Sequence, residues 1–114
     1  METTNYQEVS IKLAPLLDAL SHPARLQILL HLAQYNGCPA GSISERLPLS
    51  KSTVSQHLTK LKKAGIITAT PDGLCQRYKI NEEVLTALDR HYKTLIDTIL
   101  ELSKSKIDCP CSTK

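Results

Sequence analysis

Four cysteines carry the chain's most reactive side chains: Cys38, Cys75, Cys109 and Cys111. Two of them form Cys109-Pro110-Cys111, soft sulfurs one residue apart with a proline restricting the link. Such a pair suits one thiophilic ion. Arsenite or antimonite, as trivalent centres, take three thiolates in a pyramid, so the pair needs a third donor. Copper(I), zinc and cadmium also accept thiolates. Cys38 is the leading third donor, because it precedes a helix start, where the dipole favours a thiolate. Cys75 falls in a hairpin and is more remote. The same sulfurs would serve a redox or persulfide switch, for example a disulfide between Cys38 and a tail cysteine. Incidental tail cysteines are the plain alternative. In a secreted chain four cysteines would suggest a disulfide framework. The start, Met1-Glu2-Thr3-Thr4-Asn5, has no basic region followed by an apolar stretch, so a secretory signal is not expected. Reduced thiols and a cytoplasmic location are.

A second chemistry lies mid-chain. Residues 50–80 carry Lys51, Lys60, Lys62, Lys63, Arg77 and Lys79 against Asp72 alone, and the whole chain has a net charge of only +3. Positive charge gathered in one block is the footprint of a polyanion partner, although a solvated basic helix face would give the same count. Among these bases stand Ser50, Ser52, Thr53, Ser55, Gln56 and His57. Short hydroxyl side chains approach base edges closely, and glutamine can make two hydrogen bonds to adenine. Lys51, Lys60, Lys63 and Arg77 are candidates for phosphate. His57 lies toward the edge of a buried helix face, so a packed role competes with a DNA contact.

The elements that must position these residues follow from length and punctuation. A chain of 114 residues, 41% hydrophobic and 22% charged, is one ordinary globular domain. Its apolar runs are too short to cross a membrane. It has no Gly-rich phosphate loop and no recognisable nucleophile set, so an enzyme fits worst. Five helices and one hairpin are predicted over 1–105, with a Cys-containing tail over 106–114.

The first helix runs from about Gln7 to Leu20, with Val9, Leu13, Leu16, Leu17 and Leu20 at helical spacing. Ser21-His22-Pro23 starts the second, whose buried face is expected to be Leu26, Leu29, Leu30 and Ala33; Asn36-Gly37 stops it. The third runs from about Pro39 to Leu47, with Pro39 at its first position. Ser50 caps the fourth, which Gly65 closes after Ala64. Val54, Leu58 and Leu61 line one of its faces, and Ser52, Gln56, Thr59 and Lys63 the other. Strands at Ile66–Thr70 and Leu74–Ile80 flank a Pro71-Asp72-Gly73 turn. Asn81 caps a last helix reaching about Ser105. In it Leu85, Leu88, Tyr92, Leu95, Ile99 and Leu102 alternate spacings of three and four. Its first half is expected to pack on the body and the rest to pair with a second copy.

The third helix, the break at Pro48 and the fourth helix form a helix-turn-helix. With the hairpin it makes a winged helix, mainly α with a small β-hairpin, in the order ααααββα. A winged helix used only for protein contacts would not need the basic block. Three segments carry a resemblance: Leu17-Asp18-Ala19-Leu20-Ser21-His22-Pro23-Ala24-Arg25-Leu26-Gln27-Ile28-Leu29, then Leu49-Ser50-Lys51-Ser52-Thr53-Val54-Ser55-Gln56-His57-Leu58, then Ala64-Gly65-Ile66-Ile67 with Gly73 to Asn81. They resemble the ArsR/SmtB family of bacterial metal- and metalloid-responsive repressors over roughly residues 10–100. The resemblance implies a homodimer through the first and last helices, here Leu13, Leu16, Leu88, Tyr92, Leu95, Ile99 and Leu102. It also implies operator DNA as partner and an inducer that releases it, with no cofactor required.

The chain departs from that family's familiar ion sites. Arsenic-responsive members carry Cys-x-Cys at the start of the third helix, where this chain has Pro39 and Gly41. The zinc site on the last helix would fall at Glu82 and Val84 with Leu95 and Thr98, which cannot build it; Asp89 and His91 come two turns late.

Overall fold

The computed structural model describes residues 9–110. Gln7, where the first helix was expected to begin, and Cys111 lie outside them. The first helix opens as a π-helical turn, Val9–Leu13, and continues as α1, Ala14–Ala19. Pro15 accounts for the irregularity. It has no N–H to close the usual turn, and its ring crowds the preceding carbonyl.

Helix α2 spans Pro23–Gln34. Its cap is His22, whose Nδ1 accepts from the Ala24 N–H at 3.0 Å, while Ser21 Oγ donates back to the Asp18 carbonyl. The expected buried face of α2 is corrected. Ala24, Ile28, His31 and Leu32 point inward and Leu29, as expected, packs half-buried beside them, while Leu26 and Leu30 are 46% and 65% exposed and Ala33 is exposed too. The helix is apolar nearly all round, so periodicity had no single stripe to find. Burial holds the His31 imidazole below the usual histidine range, with Arg46 adding to the effect.

Helix α3, Ala40–Arg46, begins one residue later than expected, with Pro39 as its cap. Helix α4, Lys51–Lys63, is capped by Ser50, whose Oγ accepts from the Thr53 N–H at 3.2 Å. At its other end the Ile66 N–H reaches the Leu61 carbonyl at 3.1 Å and the Gly65 N–H reaches Lys62 at 2.9 Å. This closing pair needs a left-handed residue, and Gly65 supplies it with φ +83°. Val54, Leu58 and Leu61 of α4 are fully buried against Ile28 and Ile43.

Strand β1, Ile67–Asp72, pairs antiparallel with β2, Cys75–Ile80, from Ile67↔Ile80 to Asp72↔Cys75. The turn is therefore the two residues Gly73-Leu74, not Pro71-Asp72-Gly73. Gly73 takes φ +65°, the sign a tight hairpin demands at its first central position. Cys38 bridges to Tyr78 through two backbone hydrogen bonds, which anchors the wing to the α2–α3 loop.

Helix α5, Glu82–Lys104, is capped by Asn81. Val84, Leu85 and Leu88 settle on the body. Past Leu88 the helix projects, with Tyr92, Ile99, Leu100 and Leu102 between 45% and 66% exposed. The radius of gyration, 18.4 Å, exceeds the roughly 13 Å of a compact chain this long.

Candidate nucleic-acid interface

The fourth helix sorts its side chains cleanly. One face, Val54, Leu58 and Leu61, is buried. The other presents Lys51, Ser52, Ser55, Gln56, Thr59, Lys60, Lys62 and Lys63 to solvent. Ser50 and Thr53 belong to the start of the helix: Ser50 Oγ donates to Thr53 Oγ1 at 2.9 Å and lies 3.3 Å from Ser52 Oγ. Their hydroxyls are thus engaged in capping. Thr59 Oγ1 donates to the Ser55 carbonyl. Gln56 has no intramolecular partner among the described hydrogen bonds, so its amide stands ready for an external one.

His57 goes the other way. It is half-buried, its Nδ1 is 3.2 Å from Arg25 Nη1, and its ring centroid is 4.5 Å from that of His22. Burial, then His22, then Arg25 hold its pKa below the usual histidine range. It is a bracing residue on the edge of the helix, not part of the exposed face. One turn on, Lys60 Nζ lies 3.9 Å from Asp18.

Arg77 is also committed. Its Nε donates to Asp72 Oδ2 at 2.6 Å and its Nη1 to the Gly37 carbonyl at 2.7 Å. It staples the wing to the α2–α3 loop, and Asp72 holds its pKa above the ordinary value. Lys62 and Lys79, both exposed, add free charge that the initial selection of phosphate candidates omitted. The basic block had already counted both. Arg25 and Asp18 had no such signal, because they meet α4 only through the tertiary fold.

The thiols separate. Cys38 is 5% exposed and its sulfur donates to the Tyr35 carbonyl at 3.6 Å. Burial raises its pKa, against the smaller opposing effects of Arg77 and Arg46. The expected helix-start thiolate is therefore corrected: Cys38 is a packed neutral thiol. Cys75 is exposed beside the wing turn. Cys109 is exposed beyond the far end of α5, a helix roughly 35 Å long whose start adjoins the strand that Cys38 bridges. Among the described residues no three His, Cys, Asp or Glu side chains converge on a cation-sized site.

Residues 20–69 match a helix-turn-helix domain family. The chain is 36% identical over 87 residues to the HTH-type transcriptional regulator YgaV of Escherichia coli, covering 76% of this chain and 88% of that protein. It is 34% identical over 87 residues to the transcriptional activator HlyU of Vibrio cholerae, covering 74% and 80%. The reduced form of HlyU has been solved and superposes with a TM-score of 0.61 at 33% identity, over 77% of this chain and 96% of that one. An ArsR-like transcriptional regulator from Rhodococcus superposes with a TM-score of 0.71 at 27% identity, over 85% of this chain and 93% of that one. None of the described helices is long and apolar enough to cross a membrane. The chain belongs to the ArsR family of winged helix-turn-helix regulators, DNA-binding proteins of transcription and not enzymes.

Proposed function

We propose that this protein is a homodimeric repressor that binds operator DNA with α4 in the major groove and leaves it when its tail thiols take up an inducer. The exposed polar face of α4 carries this reading. Gln56 and the serines beside it suit base edges, and Lys51, Lys60, Lys62 and Lys63 suit the flanking phosphates. A two-fold pair would set two such helices into successive major grooves.

The test is anisotropy with a labelled duplex selected from a random-sequence pool. Affinity is expected to fall roughly 10³-fold between 50 and 200 mM salt if about six phosphates are engaged. Gln56→Ala is expected to cost about 1–3 kcal/mol and relax one base position, whereas Lys60→Ala weakens all sequences alike. Binding that ignores salt would favour a module for protein contacts.

For the inducer, the Cys109 and Cys111 pair supports a thiophilic ion such as arsenite or antimonite. Cys38, buried and bridged to the wing, is a poor third donor within one chain. The third thiolate would then come from a second copy or a small thiol. Anaerobic, reduced protein titrated with arsenite should release its duplex, and Cys109→Ser/Cys111→Ser should abolish release while leaving DNA affinity intact. A second reading, reversible oxidation of the two thiols by a peroxide, gains support from a relative, HlyU, having been solved in a defined reduced form. It predicts release by peroxide and indifference to arsenite.

A further inference from the structure

Arg25 ties the end of one helix to the edge of another. Its Nε donates to the Ala19 carbonyl at 2.7 Å and its Nη2 to that of Asp18 at 3.5 Å. These are the last carbonyls of α1, where the helix dipole is negative and a cation sits well. The remaining Nη1 faces His57 Nδ1 at 3.2 Å. A guanidinium only donates and does not lose its proton in proteins. The imidazole must therefore accept at Nδ1, which places its own proton on Nε2 and requires it to be neutral. His57 is followed one turn later by Lys60, which leans on Asp18 of the same α1 end. Two side chains of α4 thus rest on one corner of the body.

We propose that Arg25 is a positioning residue for DNA recognition: it fixes the setting of α4 through the neutral His57 ring, and protonating that ring releases the hold and costs sequence discrimination. This rests on α4 being the recognition helix. Protonated imidazole donates at both nitrogens, so Nδ1 no longer accepts from Arg25. The new cation then faces Arg25 of α2 and the ring of His22, the cap of that helix. From α1 the nearby acid is Asp18, already turned to Lys60. Glu45 and Arg46 of α3 and Asp72 of β1 are the charged groups of the other elements packed on α4.

Loss of the hold acts selectively. His57 adjoins Gln56, and a two-point hydrogen bond to a base edge tolerates little misplacement. Flexible lysines on phosphates tolerate more, and an added positive charge strengthens them. The sign follows. His57 is held below the ordinary histidine range, so the hold is complete above that range and is lost as pH falls beneath it.

The experiment compares a duplex selected by the wild type at pH 7.5 with its scrambled sequence, by anisotropy from pH 7.5 to 4.5 at constant salt. Circular dichroism at each pH confirms folding. The ratio of the two affinities is expected to fall about tenfold for the wild type, the scale of one hydrogen bond to a charged group, while binding to the scrambled duplex holds or rises. His57→Asn puts an amide oxygen in place of Nδ1 and cannot titrate, so its ratio should stay flat. The other histidines are unchanged in that variant, so an acid effect that does not run through His57 would persist in it. Arg25→Met should start about tenfold lower at pH 7.5 and also stay flat; should it fail to fold, His57→Asn alone decides. An acid loss of equal size in His57→Asn, or a folded Arg25→Met with an undiminished ratio, would overturn the proposal. A pool that enriches no sequence at pH 7.5 would instead overturn the recognition reading beneath it, and the clamp's role with it.

Discussion

Replacing Ile99 and Leu102 with glutamate is expected to leave the chain folded and to lower its affinity for a two-half-site duplex by 10²-fold or more. Folding should survive because neither side chain contributes to the body: they are 51% and 66% exposed, and exposed positions usually contribute within about 0.5 kcal/mol. The core elements of α5 lie earlier, at Val84, Leu85 and Leu88. What the substitutions charge is a stripe continuing from Tyr92 through Leu95 to Leu102, which the described residues leave exposed at Tyr92, Ile99 and Leu102. A stripe with spacings of three and four is the kind that a second helix fills. Joining two half-site readers makes the second binding event intramolecular, a gain of about 10²–10⁴ without new contacts. Sedimentation velocity gives the mass of each variant and anisotropy its affinity. A double variant that still sediments as a dimer, or a monomer that binds as tightly as the wild type, would remove the stripe from the assembly.

Ile28→Ala is expected to be the most damaging single truncation in α2, at about 2–5 kcal/mol, while Leu30→Ala two residues on should cost less than about 0.5 kcal/mol. Ile28 has no exposed surface and packs with Ile43, Val54 and Leu58 at the junction of three helices. Deleting its outer carbons leaves a cavity that rigid neighbours cannot fill. Leu30 is 65% exposed and leaves no cavity. Against a total stability of about 5–15 kcal/mol, the first loss is a large fraction. Urea midpoints at one protein concentration measure both, since association would otherwise shift the comparison. Equal losses would mean that Leu30 is covered in the assembled protein.

That pair of leucine and isoleucine positions marks the limit of what the sequence reveals here. Helix α4 was legible because each signal agreed: Ser50 to cap it, Val54, Leu58 and Leu61 on one side, polar residues on the other, Gly65 to end it. Helix α2 offered apolar residues at almost every angle, so its inward face depended on neighbours that periodicity does not see. The turn was misplaced for a similar reason. Pro71 and Asp72 carry turn character, yet Pro71 sits in a strand whose outer edge asks nothing of its missing N–H. The thiol of Cys38 was judged from the helix start alone, and burial outweighed the dipole. The contact of Arg25 with His57 joins residues 32 positions apart, and no local pattern encodes it. The tail pair stays as the sequence left it, since Cys111 lies beyond the described residues.

The two-residue wing tip has a consequence for how such a protein can change over generations. Gly73-Leu74 joins residues that face each other, Asp72 and Cys75, and Leu74 touches almost nothing. Two residues added to each strand at this point keep every existing side chain on its present face, restore the hydrogen-bonded pair on which a two-residue turn closes, and carry the tip about 7 Å farther out. A single added residue forces a bulge or slips the register and turns one strand over. The length of the wing can therefore grow in paired steps, by insertions that leave the core, the cap of α5 and the Arg77 staple as they are. The span a descendant covers is free to drift while its scaffold stays fixed.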